Sequence, residues 1–98
     1  MMNISALTNY VSDLETADQD DDVVFHSLIV RGMDLLQLLD VDFAHYFGTS
    51  RTTIMRWRTG ANAPHPAMRK HVFAWLKQRA VALLRRAKEP ALASLPAK

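Results

Sequence analysis

The sequence predicts an all-α fold, a compact bundle of four to five helices ending in a long C-terminal helix. Three observations lead there. Apolar residues recur at three- and four-residue intervals, as in Val24, Leu28, Leu35 and Leu39, and again in Val72, Leu76, Ala80, Leu83 and Ala87. Helix-breaking residues punctuate these runs at Gly48, Gly60, Pro64, Pro66 and Pro90. No run alternates apolar and polar residues as a half-buried strand does.

The elements follow in order. Ile4, Leu7 and Val11 have helical spacing and place a short helix within residues 3–12. Residues 13–22 are acidic and polar, suiting a linker or the exposed start of the next helix; Asp20 to Asp22 would meet the positive end of its dipole. The spacing then predicts a helix over 23–39, with Gly32 a weak point inside it. A short helix over 41–47 ends at Gly48, which suits a C-terminal cap. Ser50 can cap the next helix, over 51–59, which stops at Gly60. Asn62, Pro64 and Pro66 make a loop. The last helix starts near Pro66, favoured at a first helical position, and runs to about Lys88. Three regions result: an acidic N-terminal segment over 1–22 with room for one short helix, a helical domain over 23–88, and a flexible tail over 89–98.

At 98 residues and 49% hydrophobic, the chain can bury one core. It has no cysteine, which excludes disulfides and cysteine-ligated metal or iron-sulfur sites. No stretch is apolar and long enough for a membrane span, and the start of the chain does not read as a secretory signal, so a cytoplasmic protein is expected. The net charge of +2 hides an asymmetry. Residues 1–22 hold six acids and no Lys or Arg, whereas residues 43–98 hold eleven Lys or Arg and one acid, Glu89. A cationic region of this size fits a polyanionic partner.

The segment 39–66 carries the functional argument. Two short helices flank a tight turn, the geometry of a helix-turn-helix. Ala44 leaves room where the helices meet, Gly48 permits the turn, and Ile54 supplies the apolar plug; Phe43 and Phe47 anchor the first helix and Trp57 the second. On the opposite side of the second helix stand Arg51, Thr52, Met55, Arg56 and Thr59. An α-helix fits the major groove, where arginine can take two guanine acceptors and threonine can bond a base edge or touch a thymine methyl. Arg51, Thr52, Met55 and Arg56 are the candidate base readers. Ser50, Arg58, Thr59 and Asn62 are candidate backbone contacts, with Arg69 and Lys70 at the start of the last helix as weaker ones.

The stretch FAHYFGTSRTTIMRWRTGANAP, residues 43–64, resembles the phage-repressor type of helix-turn-helix, the Cro-like or XRE family. The matching marks are Phe43-Ala44, Phe47-Gly48, Ser50, Thr53-Ile54, Trp57, Gly60 and Pro64. The resemblance implies a lambda-repressor-like bundle that binds double-stranded DNA operators, usually as a homodimer. It places base contacts on Arg51, Thr52, Met55 and Arg56, a backbone contact on Thr59, and a base or backbone contact on Asn62. One position departs. Where the family often has a glutamine that bonds a phosphate, this chain has Asp40, an acid that would repel a phosphate and is expected to cap its helix instead.

A transcriptional regulator, most simply a repressor, is therefore expected. The alternative is a protein-protein interaction module on the same fold, such as an antitoxin or a phage accessory factor. The acidic N-terminal segment or the C-terminal helix could serve a protein partner, and the C-terminal helix could dimerise the chain. The four histidines, His26, His45, His65 and His71, form no zinc-binding spacing. No phosphate loop, nucleophile elbow or paired carboxylates stand out, so neither enzymatic activity, a metal nor a cofactor is expected.

Overall fold

The computed structural model describes residues 3–88. Five helices follow one another: α1 (Ile4–Thr16), α2 (Asp22–Leu35), α3 (Asp40–Phe47), α4 (Arg51–Thr59) and α5 (Pro66–Lys88). Together they form a compact all-α bundle with a long C-terminal helix. The expected tail over 89–98 lies outside the described residues.

Local chemistry starts the first four helices. The Asn3 side chain accepts a hydrogen bond from the Ala6 N–H and begins α1. Asp21 does the same for α2, accepting from Val23 and Val24. The Asp42 carboxylate reaches back to the Leu39 N–H at the start of α3, and Ser50 Oγ accepts from the Thr53 N–H at the start of α4.

Helix α1 is longer than expected and uses a different face. Leu7, Tyr10 and Leu14 are buried, whereas Ile4, expected on the inner face, is 40% exposed and Val11 is only partly covered. The shift turns on Tyr10. Its ring lies wholly inside, which is tolerable because its hydroxyl donates to the Leu28 carbonyl at 2.7 Å. Burial pushes the Tyr10 hydroxyl far above its ordinary pKa, with a smaller opposing effect from Arg31. The acids of α1 point outward and find partners, Asp13 on Arg31 at 2.8 Å and Glu15 on Lys77 at 2.8 Å. The N-terminal helix is thus packed along α5 and against α2, sharing the core of the rest of the bundle.

Tyr10 also explains Gly32. A Cβ at position 32 would land on the Tyr10 hydroxyl oxygen and crowd a Leu76 methyl. The glycine that weakens the sequence pattern is what lets α1 and α2 approach.

Helix α2 stops at Leu35, one turn short of the expected Leu39. Gln37 takes a left-handed conformation at φ 55°, while the Leu38 N–H bonds the Met33 carbonyl at 2.9 Å and the Gln37 N–H bonds the Asp34 carbonyl at 3.3 Å. These two bonds form a Schellman-type stop without glycine. Leu36 and Leu38 then enter the core from the turn rather than from a helix.

The centre of the bundle is aromatic. Phe25 meets the Trp57 ring edge-on and stacks with Phe73; Phe43 contacts Phe47, Trp57 and Trp75. Side chains from α2, α3, α4 and α5 thereby share one cluster. Among the described residues no helix is long and apolar enough to cross a membrane.

Candidate nucleic-acid interface

Three residues separate α3 from α4. Gly48 sits at φ 64°, the Thr49 N–H bonds the Ala44 carbonyl at 2.9 Å, and the Gly48 N–H bonds the His45 carbonyl at 3.3 Å. A Cβ on Gly48 would meet no atom, so glycine is required by the backbone angle alone. Ser50 then opens α4. Gly60, at φ 82°, closes it.

The inner side of α4 is fixed by Ile54 and Trp57, both buried, with Ala44 of α3 buried beside them. Such spacing leaves one long side uncovered. Arg51, Thr52, Met55, Arg56 and Thr59 are all exposed there. Arg51 and Arg56 take part in no ion pair among the described residues. The structure brings the five expected side chains together on the open face of one helix.

The flanking candidates divide. Ser50 is exposed at the head of α4, with its hydroxyl engaged in the cap and against Thr53 Oγ1 at 3.0 Å. Thr59 Oγ1 donates to the Arg56 carbonyl at 3.4 Å. Asn62 lies exposed just past the helix: its backbone N–H bonds the Arg56 carbonyl and its Oδ1 accepts from the Ala63 N–H. Lys70 is exposed and makes no ion pair among the described residues.

Arg69 corrects the expectation. It was expected to reach a phosphate, yet it is only 5% exposed. Its Nε donates to the Pro64 carbonyl at 2.8 Å, its Nη1 to the Gln19 carbonyl at 2.9 Å, and its Nη2 lies 2.7 Å from Asp22 Oδ1. The guanidinium also sits over the Phe25 ring. All three nitrogens are committed: Nε holds the loop before α5, Nη1 the α1–α2 connection and Nη2 the first residue of α2.

Arg58 is likewise turned away from a free role. It grips Asp40 with two bonds, Nε to Oδ1 at 3.1 Å and Nη2 to Oδ2 at 2.9 Å. The hydrogen bond and the charge of Asp40 hold the Arg58 guanidinium above even its ordinary high pKa. Asp40 was expected to cap α3, but Leu39 occupies the cap position and Asp40 is the first helical residue. The Arg58 carbonyl accepts from His26 Nε2 at 2.8 Å. One residue of α4 is therefore tied to α3 by its side chain and to α2 by its backbone. Neither tie has a sequence signal, since the partners stand 18 and 32 positions away.

Among the described residues no three His, Asp or Glu side chains gather as a metal site requires, and no buried side-chain polar atom lacks a partner. Compared with protein-family models, curated proteins and solved structures, the chain matches none.

Proposed function

We propose that the chain is a sequence-specific double-stranded DNA-binding protein of the phage-repressor-like kind, in which α3 and α4 act as a helix-turn-helix and α4 enters the major groove. The observation that carries this reading is the open face of α4. Arginines without carboxylate partners among the described residues, threonines and a methionine stand exposed there, while Ile54 and Trp57 lock the opposite side. In the proposed complex Arg51 and Thr52, in the first turn, read base edges, and Arg56 reads a base or grips a phosphate. Asn62 presents its amide to the backbone beyond the helix. The Asp40–Arg58 pair replaces the phosphate-bonding glutamine of the resembled family and braces the pitch of α4. Occupancy of a promoter is enough to repress, so repression is the simplest outcome.

The test is selection of bound sequences from a random duplex pool, followed by footprinting. One enriched motif is expected. Arg51→Ala should cost about 1–3 kcal/mol on that motif and flatten the preference at one position. If the pool returns no enriched sequence, the proposal fails.

A further inference from the structure

We propose that the face shared by α3 and α5 docks an acidic amphipathic helix of a partner protein. This inference is independent of the DNA reading. The groove there encloses about 790 Å³. Its floor is aromatic at one end, where Tyr46 stacks on Trp75 at 4.8 Å and an interplanar angle of 20°, with Phe47 edge-on to both. Tyr46 is 58% exposed although its ring is large and apolar, so the outer face of the stack is uncovered. Trp75 has little face left to offer, because Tyr46 covers it on one side and the Arg79 guanidinium lies 5.5 Å from its ring centre.

The shape favours a helix. The α5 side of the groove runs from His71 through Gln78 to Arg85, four turns or about 21 Å. Ala74 and Ala82 stand between them and let another backbone come close. An apolar anchor on the incoming helix would rest against Tyr46, and its flanks would meet the rim.

The charge favours an acidic partner. Among the described residues Lys77 and Arg85 line the groove and no acid does; Lys77 holds Glu15 of α1, and Arg85 has no ion pair there. Helix α5 carries seven Lys or Arg and no acid along its whole length. A second copy placed on this face by a two-fold axis would set two uniformly cationic helices together, which opposes self-pairing. A duplex would find cations here, yet phosphate has no use for the aromatic floor.

The probe is a synthetic Glu/Leu amphipathic peptide of about 15 residues, long enough to span the groove. Its titration is followed by the indole N–H resonances of Trp75 and Trp57 in the labelled full chain. Saturable movement of the Trp75 signal is expected, with Trp57 still. Tyr46→Ala should weaken binding about tenfold, as loss of an exposed aromatic anchor does. Gln78→Glu, which leaves the aromatic stack untouched, should weaken it through charge alone. The proposal is overturned if the Lys/Leu counterpart binds equally well or if the acidic peptide leaves Trp75 unmoved. It also fails if duplex DNA moves Trp75 in its place, or if sedimentation shows a dimer that Tyr46→Ala dissociates.

Discussion

Replacing Arg69 by methionine keeps an apolar side chain and removes the guanidinium. Four interactions then vanish, of which the cation over the Phe25 ring is worth about 0.5–1 kcal/mol. The contact with Asp22 counts for little, because that carboxylate side chain is 75% exposed and water replaces the cation; up to about 1 kcal/mol is its full worth. The Pro64 and Gln19 carbonyls lose charge-assisted donors at 2.8 and 2.9 Å, about 1.5 kcal/mol each, partly recovered by water and by relief from burying a charge. The net expectation is a loss of about 2–3 kcal/mol, or about 10–20 °C in Tm for a domain of this size. Urea unfolding, with the slope m held common, measures the first quantity and calorimetry the second. Amide exchange should quicken in the two connections that Arg69 joins, over residues 17–21 and 60–65. Arg69→Lys should recover less than half of the loss, since one ammonium cannot serve three diverging acceptors. A methionine variant within about 0.5 kcal/mol of the parent would refute the reasoning, and Arg69 would return to the set of candidate phosphate contacts.

Gly32→Ala should destabilise by about 2 kcal/mol in urea unfolding even though alanine is the better helix former, because the added methyl displaces the buried Tyr10 hydroxyl. Gln37→Gly should stabilise by about 0.5–1 kcal/mol by relieving a side chain held at positive φ. Above pH 10, where an unfolded tyrosine ionises and the buried Tyr10 does not, stability should fall by up to about 1.4 kcal/mol per pH unit. Tyr10 holds its proton more tightly folded than unfolded, so the loss comes with rising pH, and Tyr10→Phe should remove that part of the slope in pH-dependent denaturation. Under the proposed DNA reading, Arg58→Met should lower affinity for the selected motif and blur selectivity while leaving the salt dependence unchanged; Arg56→Ala, if Arg56 grips a phosphate, should reduce the slope of log K against log salt by about 0.9.

Much of the chain is legible from periodicity and punctuation. The limits of α4 and the start of α5 coincide with their sequence signals because Ser50, Gly60 and Pro66 act within one turn of themselves. Gly48 is legible for the same reason: its requirement is a backbone angle. The open face of α4 follows from helical geometry once Ile54 and Trp57 are recognised as core. What escapes is set by tertiary contact. The α2 stop at Gln37 lacks the usual glycine, so the apolar run through Leu36, Leu38 and Leu39 reads as continuous helix. The burial of Tyr10 has no local signal, because the carbonyl that accepts from its hydroxyl stands 18 positions away. Arg58 and Arg69 read as free cations for the same reason, since local sequence carries no trace of the acceptors that claim them. The stacking of Tyr46 on Trp75 is invisible too, as the two residues stand on different helices and local sequence does not show that they meet.

The packing of α1 along α5 has a consequence for how the chain is made. A ribosome releases α1, with Leu7, Tyr10 and Leu14 bare, well before α5, the helix it packs along, emerges. Glu15 meets Lys77 only after more than half a hundred intervening residues have been synthesised. The remaining elements, joined mainly to near neighbours, can associate earlier. The nascent chain therefore holds a sticky amphipathic helix in waiting until α5 has emerged, and a stall before α5 leaves that surface open to whatever chaperone or protease arrives first.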